Sequence, residues 1–223
     1  MDGEIVYLSQ LGGEANLKPA MWCLYLMKRL LWLARWVLVA LGIVSAIALL
    51  AHVAFRPNAS SADSEKYAVY SAHIEPDLTG DSHELGNRTG LVVIQKRTQY
   101  RFLVGRVRRV KATIPRLRNS VLFEFFIASL QDQDLETRFE LPAKYELATD
   151  KDMNLYPSER FMARFPSSYG YLTFSPVAFN RDLTEAFFYT EHTCGMCGEG
   201  KYVFMHKVSG KWVVEGTAST WIS

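Results

Sequence analysis

Cysteine is scarce in this chain, with 3 among 223 residues. Small secreted disulfide frameworks carry an even set at regular spacings, so that class is excluded. A surplus of one charge is missing too. Lys and Arg number 25 against 23 for Asp and Glu, a formal net charge of +2, which sets aside a strongly basic nucleic-acid binder. Charged residues make up 22% and hydrophobic ones 49%, the reverse of the balance that keeps a chain disordered. G-x-S-x-G, H-E-x-x-H and a Gly-rich phosphate loop are all absent, so no hydrolase, zinc-protease or nucleotide signature guides the reading. Neither a cofactor nor a resident metal is expected.

One long apolar run is present. Residues 36–55, WVLVALGIVSAIALLAHVAF, contain no Asp, Glu, Lys or Arg. At about 1.5 Å per residue such a helix spans the roughly 30 Å hydrocarbon core of a bilayer. A buried core helix of that length carries a polar stripe, and this run has none. A cleaved signal peptide has a shorter apolar region, roughly 7–15 residues, although Ser60-Ser61-Ala62 is a weak cleavage signature. An uncleaved signal anchor is the preferred reading. Lys18, Lys28, Arg29 and Arg35 precede the run and only Arg56 closely follows it, which puts the N-terminal side in the cytoplasm.

Four segments are expected. Residues 1–29 form a cytoplasmic tail, with Met27 or Met21 as an alternative translation start. Residues 30–56 form the anchor, and the bilayer is the first partner. Residues 57–66, rich in Ser, Asn and Pro, form a linker. Residues 67–223 form an extracytoplasmic domain.

Within that domain, Tyr67, Tyr70 and Ile74 suggest a short helix capped from the linker. Leu91–Gln95 is a β-rich apolar run, and residues 100–110 are expected as a second strand. Leu117, Val121, Leu122, Phe125, Phe126 and Leu130 recur at helical spacing. Residues 171–179, 184–193, 201–208 and 211–217 read as four strands, with Ser209-Gly210 as a two-residue hairpin turn. The connections among them are too short for crossover helices, so this sheet is antiparallel. The expected class is α+β: an N-terminal transmembrane helix, then an antiparallel sheet packed by one main helix.

The stretch FSPVAFNRDLTEAFFYTEHTCGMCGEGKYVFMHKVSGKWVV resembles a group of uncharacterised bacterial membrane-anchored or exported proteins. The shared pattern is F-S-x-V-x-F-N-x-D, then C-G-x-C-G-x-G-x-Y and G-K-W. The resemblance covers about 40 of the residues and implies fold and a place at the bacterial inner membrane, with no activity attached.

Two features carry candidate chemistry. Cys194 and Cys197 form a C-x-x-C, but Gly198-Glu199-Gly200 and a strand come next, where a thioredoxin-like site needs a helix N-terminus. A structural disulfide in an oxidising compartment is the first reading. Free thiols, a redox pair, or zinc held with His192 and His206 are the alternatives. The zinc reading fails on strand spacing if His192 pairs near Tyr202 and His206 lies four residues on. The second feature is residues 96–118, where nine Lys and Arg occur with no acid between them. Arg106, Arg108, Arg109, Lys111, Arg116 and Arg118 define a candidate face for an anionic ligand or envelope partner; a solvated surface is the plainer alternative. Nucleic acid is not expected outside the cell membrane. The expected function is therefore a membrane-anchored binding module, with an envelope thiol–disulfide oxidoreductase or hydrolase as the alternative.

Overall fold

The computed structural model describes residues 17–54, 59–79, 90–99, 104–168, 170–194 and 198–223. The chain divides into two compact units, Met1–Phe55 and Arg56–Ser223.

The first unit is one helix, α1, Leu17–Ala54, 38 residues and so about 57 Å long. Its window Arg29–Ile47 is exposed throughout and is long and apolar enough to cross a membrane, alone in this among the described residues. Trp32 and Trp36, one turn apart, pack edge to face at 5.9 Å. The helix starts well before residue 30. Residues 17–29, expected as part of the cytoplasmic tail, are helical: the good helix formers Leu, Met, Lys, Ala and Arg dominate there, and Pro19 lies in the first turn, where its missing N–H is not needed.

The second unit contains α2 (Ala59–Thr79), β1 (Leu91–Gln95), a 3-10 turn (Val104–Arg106), α3 (Val107–Thr113), α4 (Asn119–Ala128), β2 (Lys144–Ala148), α5 (Asp150–Met153), α6 (Glu159–Arg164), β3 (Tyr171–Phe174), β4 (Ala178–Phe179), β5 (Glu185–Thr193), β6 (Glu199–Val208) and β7 (Lys211–Ile222). They build one sheet in the order β2-β1-β3-β5-β6-β7, with β4 beside β5.

The C-terminal strands are antiparallel, as expected. The sheet as a whole is mixed, however. β1 runs parallel to both of its neighbours, β2 and β3. The sequence hides this because β2 carries a weak alternating signal, KYELA. The chain from β1 to β2, and from β2 to β3, holds the helices that a parallel crossover needs. The unbroken apolar run of β1 fits a strand covered on both faces.

Side-chain alternation assigns the helices to the two faces. Val92, Ile94, Leu172, Phe174, Phe188, Val203 and Met205 pack with Tyr67, Val69, Tyr70 and Ile74 of α2. On the other face Phe187, Tyr189, Tyr202 and Phe204 pack with Val110, Ile114, Val121, Leu122 and Phe125 of α3 and α4. Val93 and Ala148 pack there with Phe161 and Phe165 of α6 and its C-terminal cap. Both faces are therefore covered, which corrects the single main helix expected from sequence. Tyr70 is the hub of the first face. It is fully buried, meets Phe174 at 4.5 Å and Phe188 at 5.5 Å, and its hydroxyl donates to the Ser175 carbonyl at 2.7 Å. Burial of that phenol is tolerated because its one donor is satisfied.

Two further corrections concern local structure. Residues 59–66, expected as linker, are the first turns of α2. Asp63 pairs with Lys66 one turn on and with Arg138 at 2.7 Å, while Glu65 accepts from Lys207 Nζ and Trp212 Nε1, both at 2.7 Å. These contacts tie the helix start to the sheet. In the segment expected as a second strand, residues 104–110 are helical. Val107, Val110 and Ile114 fall at helical spacing and all three pack on the sheet, so burial decides against the strand.

Candidate functional site

The basic face is built on α3 and the turn before it. With Val107, Val110 and Ile114 against the sheet, positions 108 and 109 project away from it. Arg108 and Arg109 are exposed and Arg106 is half-buried. Ile114, at the end of this short helix, packs over Gly216 of β7: a Cβ on Gly216 would lie 3.4 Å from Ile114, in ordinary contact.

The six residues of the predicted face divide into two groups. Arg116 is neutralised by Glu215 at 2.8 Å, and Arg118 by Glu185 at 2.9 Å through both Nε and Nη2. Both acids come from β-strands more than sixty residues away in sequence, which is why the acid-free run 96–118 overstates the net field. Lys96 and Arg97 share Asp134 at 3.9 and 3.7 Å. Lys111 donates to the neutral amide oxygen of Asn119 at 2.7 Å, so its charge is kept. Arg106, Arg108 and Arg109 pair with no carboxylate among the described residues. The uncompensated charge is thus concentrated on α3 and its entry turn.

The cysteine hairpin lies between β5 and β6. Cys194 is disulfide-bonded, and Cys197 is outside the described residues. The chain after Cys197 runs through Gly198 straight into β6, with no helix. The dipole that activates a thioredoxin-like thiol therefore has no counterpart on that side.

The C-terminal stem of the hairpin is clamped by the end of β7. Gly198 N–H donates to Ser223 Oγ at 2.8 Å, and Ser223 N–H donates to the Gly198 carbonyl at 2.8 Å. The Trp221 indole lies over both stem glycines. A Cβ on Gly198 would sit 2.7 Å from the indole, and one on Gly200 would sit 2.2 Å from Trp221 Nε1 and 2.3 Å from the Tyr189 hydroxyl. Trp221 Nε1 donates to Tyr189 Oη and to Glu191 Oε1, both at 3.2 Å. Tyr189 donates to the same Glu191 oxygen at 2.9 Å. Burial pushes the Tyr189 phenol above its usual range, and the adjacent Glu191 charge adds to this against the opposing hydrogen bond from Thr220. The phenol therefore stays protonated and serves as a donor.

The two histidines of the zinc alternative are far apart. His192 pairs with Glu199, not with Tyr202, and His206 pairs with Glu185 and Val213. Seven residues of β6 separate Glu199 from His206, about 23 Å along the strand. Among the described residues no three His, Cys, Asp or Glu side chains are grouped to hold a metal ion. Glu191 and His192 point to opposite faces of β5, as strand alternation requires.

No protein-family model matches the chain, and no curated protein or solved structure matches it either.

Proposed function

We propose that this chain is a single-pass protein of the bacterial inner membrane whose outer domain, residues 57–223, is a binding module that docks an anionic envelope partner through Arg106, Arg108 and Arg109. The observation that carries the reading is the contrast within one basic run: Arg116 and Arg118 have carboxylates at 2.8 and 2.9 Å, whereas the α3 arginines project from the sheet uncompensated. Unpaired guanidinium groups on a short rigid helix recognise carboxylate or phosphate oxygens in bidentate fashion. The helix α1 is long and apolar enough to serve as the anchor, and the Lys and Arg before it favour a cytoplasmic N-terminus. A Cys194–Cys197 bond closing the β5–β6 hairpin suits the oxidising side of that membrane.

Two measurements test the reading. A reporter active only outside the cytoplasm, fused after Ser223, is expected to work; activity of a cytoplasmic reporter at that point overturns the topology. In a pull-down from solubilised membranes with the full chain, the captured partner is expected to be released by salt, because exposed charge pairs are screened within roughly 8–10 Å at moderate ionic strength. Arg108→Gln with Arg109→Gln is expected to abolish capture without lowering the melting temperature. Capture that survives both salt and the double substitution refutes the docking face.

A further inference from the structure

β1 and β2 are adjacent and parallel, and Gln95 and Asp150 lie at and just beyond their carboxyl ends. The region beyond the carboxyl ends of the strands is the usual place for a ligand in open parallel sheets. Here it is a cleft of about 540 Å3 whose lining includes Gln95, Arg97, Asp132, Asp150, Asn154 and Tyr171. That volume is within the range of small-molecule sites.

The cleft contains a locked amide. Gln95 is 5% exposed. Its Nε2 donates to Asp150 Oδ1 at 3.2 Å, and its Oε1 accepts from Gln99 Nε2 at 2.8 Å and from Thr173 Oγ1 at 3.1 Å. An ionised carboxylate only accepts, so Asp150 fixes which end of the amide is the NH2. Both lone pairs of Oε1 are then occupied. The second Nε2 hydrogen has no acceptor among the described residues. A nearly buried donor held in this way is matched by an acceptor supplied from the cleft.

Charge and shape narrow the ligand. The lining sets Arg97 against two carboxylates, Asp132 and Asp150, and Arg97 already pairs with Asp134 at 3.7 Å. An anion would meet excess negative charge there, and like charges brought together are strongly disfavoured. Tyr171 and Met153 supply the apolar part of the lining, and the Tyr171 ring is held edge to face by Tyr156 at 5.2 Å. Asp and Asn end in planar groups with two polar atoms each, and the planar Arg guanidinium can present two of its three nitrogens side by side, a spacing that matches vicinal hydroxyl groups. A sugar ring has the complementary form, with a C–H face for the tyrosine and a hydroxyl edge for the planar groups.

We propose that this cleft binds a neutral saccharide, with Gln95 Nε2 donating to a sugar oxygen, Asp132 and Asp150 accepting from hydroxyls, and Tyr171 against the C–H face of the ring. The site is independent of the arginine helix and stands whether or not that helix docks a partner.

The test uses the full chain in lipid nanodiscs, free of glycolipid and of sugar-based detergent. Saturation-transfer NMR and titration are run with N-acetylglucosamine, its β-1,4-linked dimer and maltose, with glucose 6-phosphate and spermidine as charged controls. At least one neutral sugar is expected to bind saturably with a Kd below about 1 mM, more tightly than either control. Gln95→Met is expected to weaken it about tenfold, and the exposed substitutions Asp132→Ala and Asn154→Ala about fivefold each, with the melting temperature of the exposed pair unchanged. The proposal is overturned if no neutral sugar saturates by about 10 mM, if a charged control binds better, or if binding ignores the Asp132 and Asn154 substitutions.

Discussion

The Asn180 side chain braces the turn between β4 and β5 together with backbone bonds from Asn180 N–H to the Glu185 carbonyl and from Leu183 N–H to the Asn180 carbonyl, and replacing it with alanine is the sharpest test of this fold. The side chain is 8% exposed. Its Oδ1 accepts from the backbone N–H groups of Thr184 at 2.8 Å and Glu185 at 3.0 Å, and its Nδ2 donates to Thr184 Oγ1 at 2.8 Å. These bonds close a turn in which Leu183 has a positive φ of 52°, a conformation that a leucine does not adopt without support. Asn180→Ala removes all three. At about 1 kcal/mol net for each bond, and more where a buried donor is orphaned, the cost is about 2–3 kcal/mol. For a domain of this size that is a fall of about 5–10 °C in Tm. Asn180→Asp keeps an acceptor for both backbone N–H groups, and the Thr184 hydroxyl can reverse to donate to it, so its cost is below about 1 kcal/mol. The assay is thermal unfolding of the full chain in detergent, followed by near-UV circular dichroism. If the alanine variant loses less than about 0.5 kcal/mol, or if aspartate costs as much as alanine, the turn is not held as described.

Three other perturbations have clear signs. Ser209 and Gly210 have φ of 50° and 82°, the form of a tight hairpin turn that prefers Asn-Gly, so Ser209→Asn raises stability by about 0.5 kcal/mol in the same melt. Gly200→Ala forces a Cβ into Trp221 and Tyr189; overpacking of this kind costs about 1–3 kcal/mol, and indole fluorescence shifts as the ring is displaced, whereas an unchanged spectrum and Tm would mean that the indole does not lie there. Burial, with a smaller push from Lys201, lowers the His73 imidazole to about 3, against about 6.5 unfolded. The unfolded chain therefore binds the proton first. Stability declines as pH falls from about 6.5 towards 4, by at most about 1.4 kcal/mol per pH unit. Asp63 and Asp152, both held below the usual carboxylate value, add their losses only below about 4. A flat profile across pH 4–6.5, or one unchanged in His73→Leu, contradicts the half-buried, neutral histidine.

The parts of this fold that could be read from sequence are those set by local pattern. The strands expected at 184–193, 201–208 and 211–217, the helical spacing around Phe125 and the Ser209-Gly210 turn all rest on neighbours within a few residues, whereas the run expected as one strand over 171–179 divides into β3 and β4 at Ser175-Pro176-Val177. The errors lie where distant chain decides. RFLVGRVRRV (residues 101–110) alternates well enough for a strand, yet Val107, Val110 and Ile114 bury together as a helix on β7, which is a hundred residues further on. The parallel pairing of β1 with β2 and β3 joins segments about fifty to eighty residues apart, and no short pattern encodes it. The same distance hid Glu185 and Glu215, the acids that neutralise Arg118 and Arg116 of the basic face. It also hid Asp150, whose carboxylate reaches Gln95 only because β2 runs beside β1.

The C-terminal pattern from Phe174 to Trp212 has a structural explanation residue by residue. Phe174 and Phe179 lie in the core beneath α2. Ser175 accepts from the Tyr189 N–H at 2.8 Å through its hydroxyl and from Tyr70 through its carbonyl, bridging the break between β3 and β4. Asn180 closes the next turn. Gly198 and Gly200 admit the Trp221 indole, Tyr202 stacks on Phe187 at 5.6 Å, Gly210 makes the hairpin, and Trp212 is pinned by Glu65. These positions are taken up with turns and packing, while Asp182 and Lys211 are exposed and Gly195 and Cys197 lie outside the described residues. A pattern of that kind specifies a sheet, not a reaction. The residues with capacity to spare lie outside it, on α3 and around Gln95, so chains sharing only the C-terminal pattern are expected to share the fold while differing in what they bind.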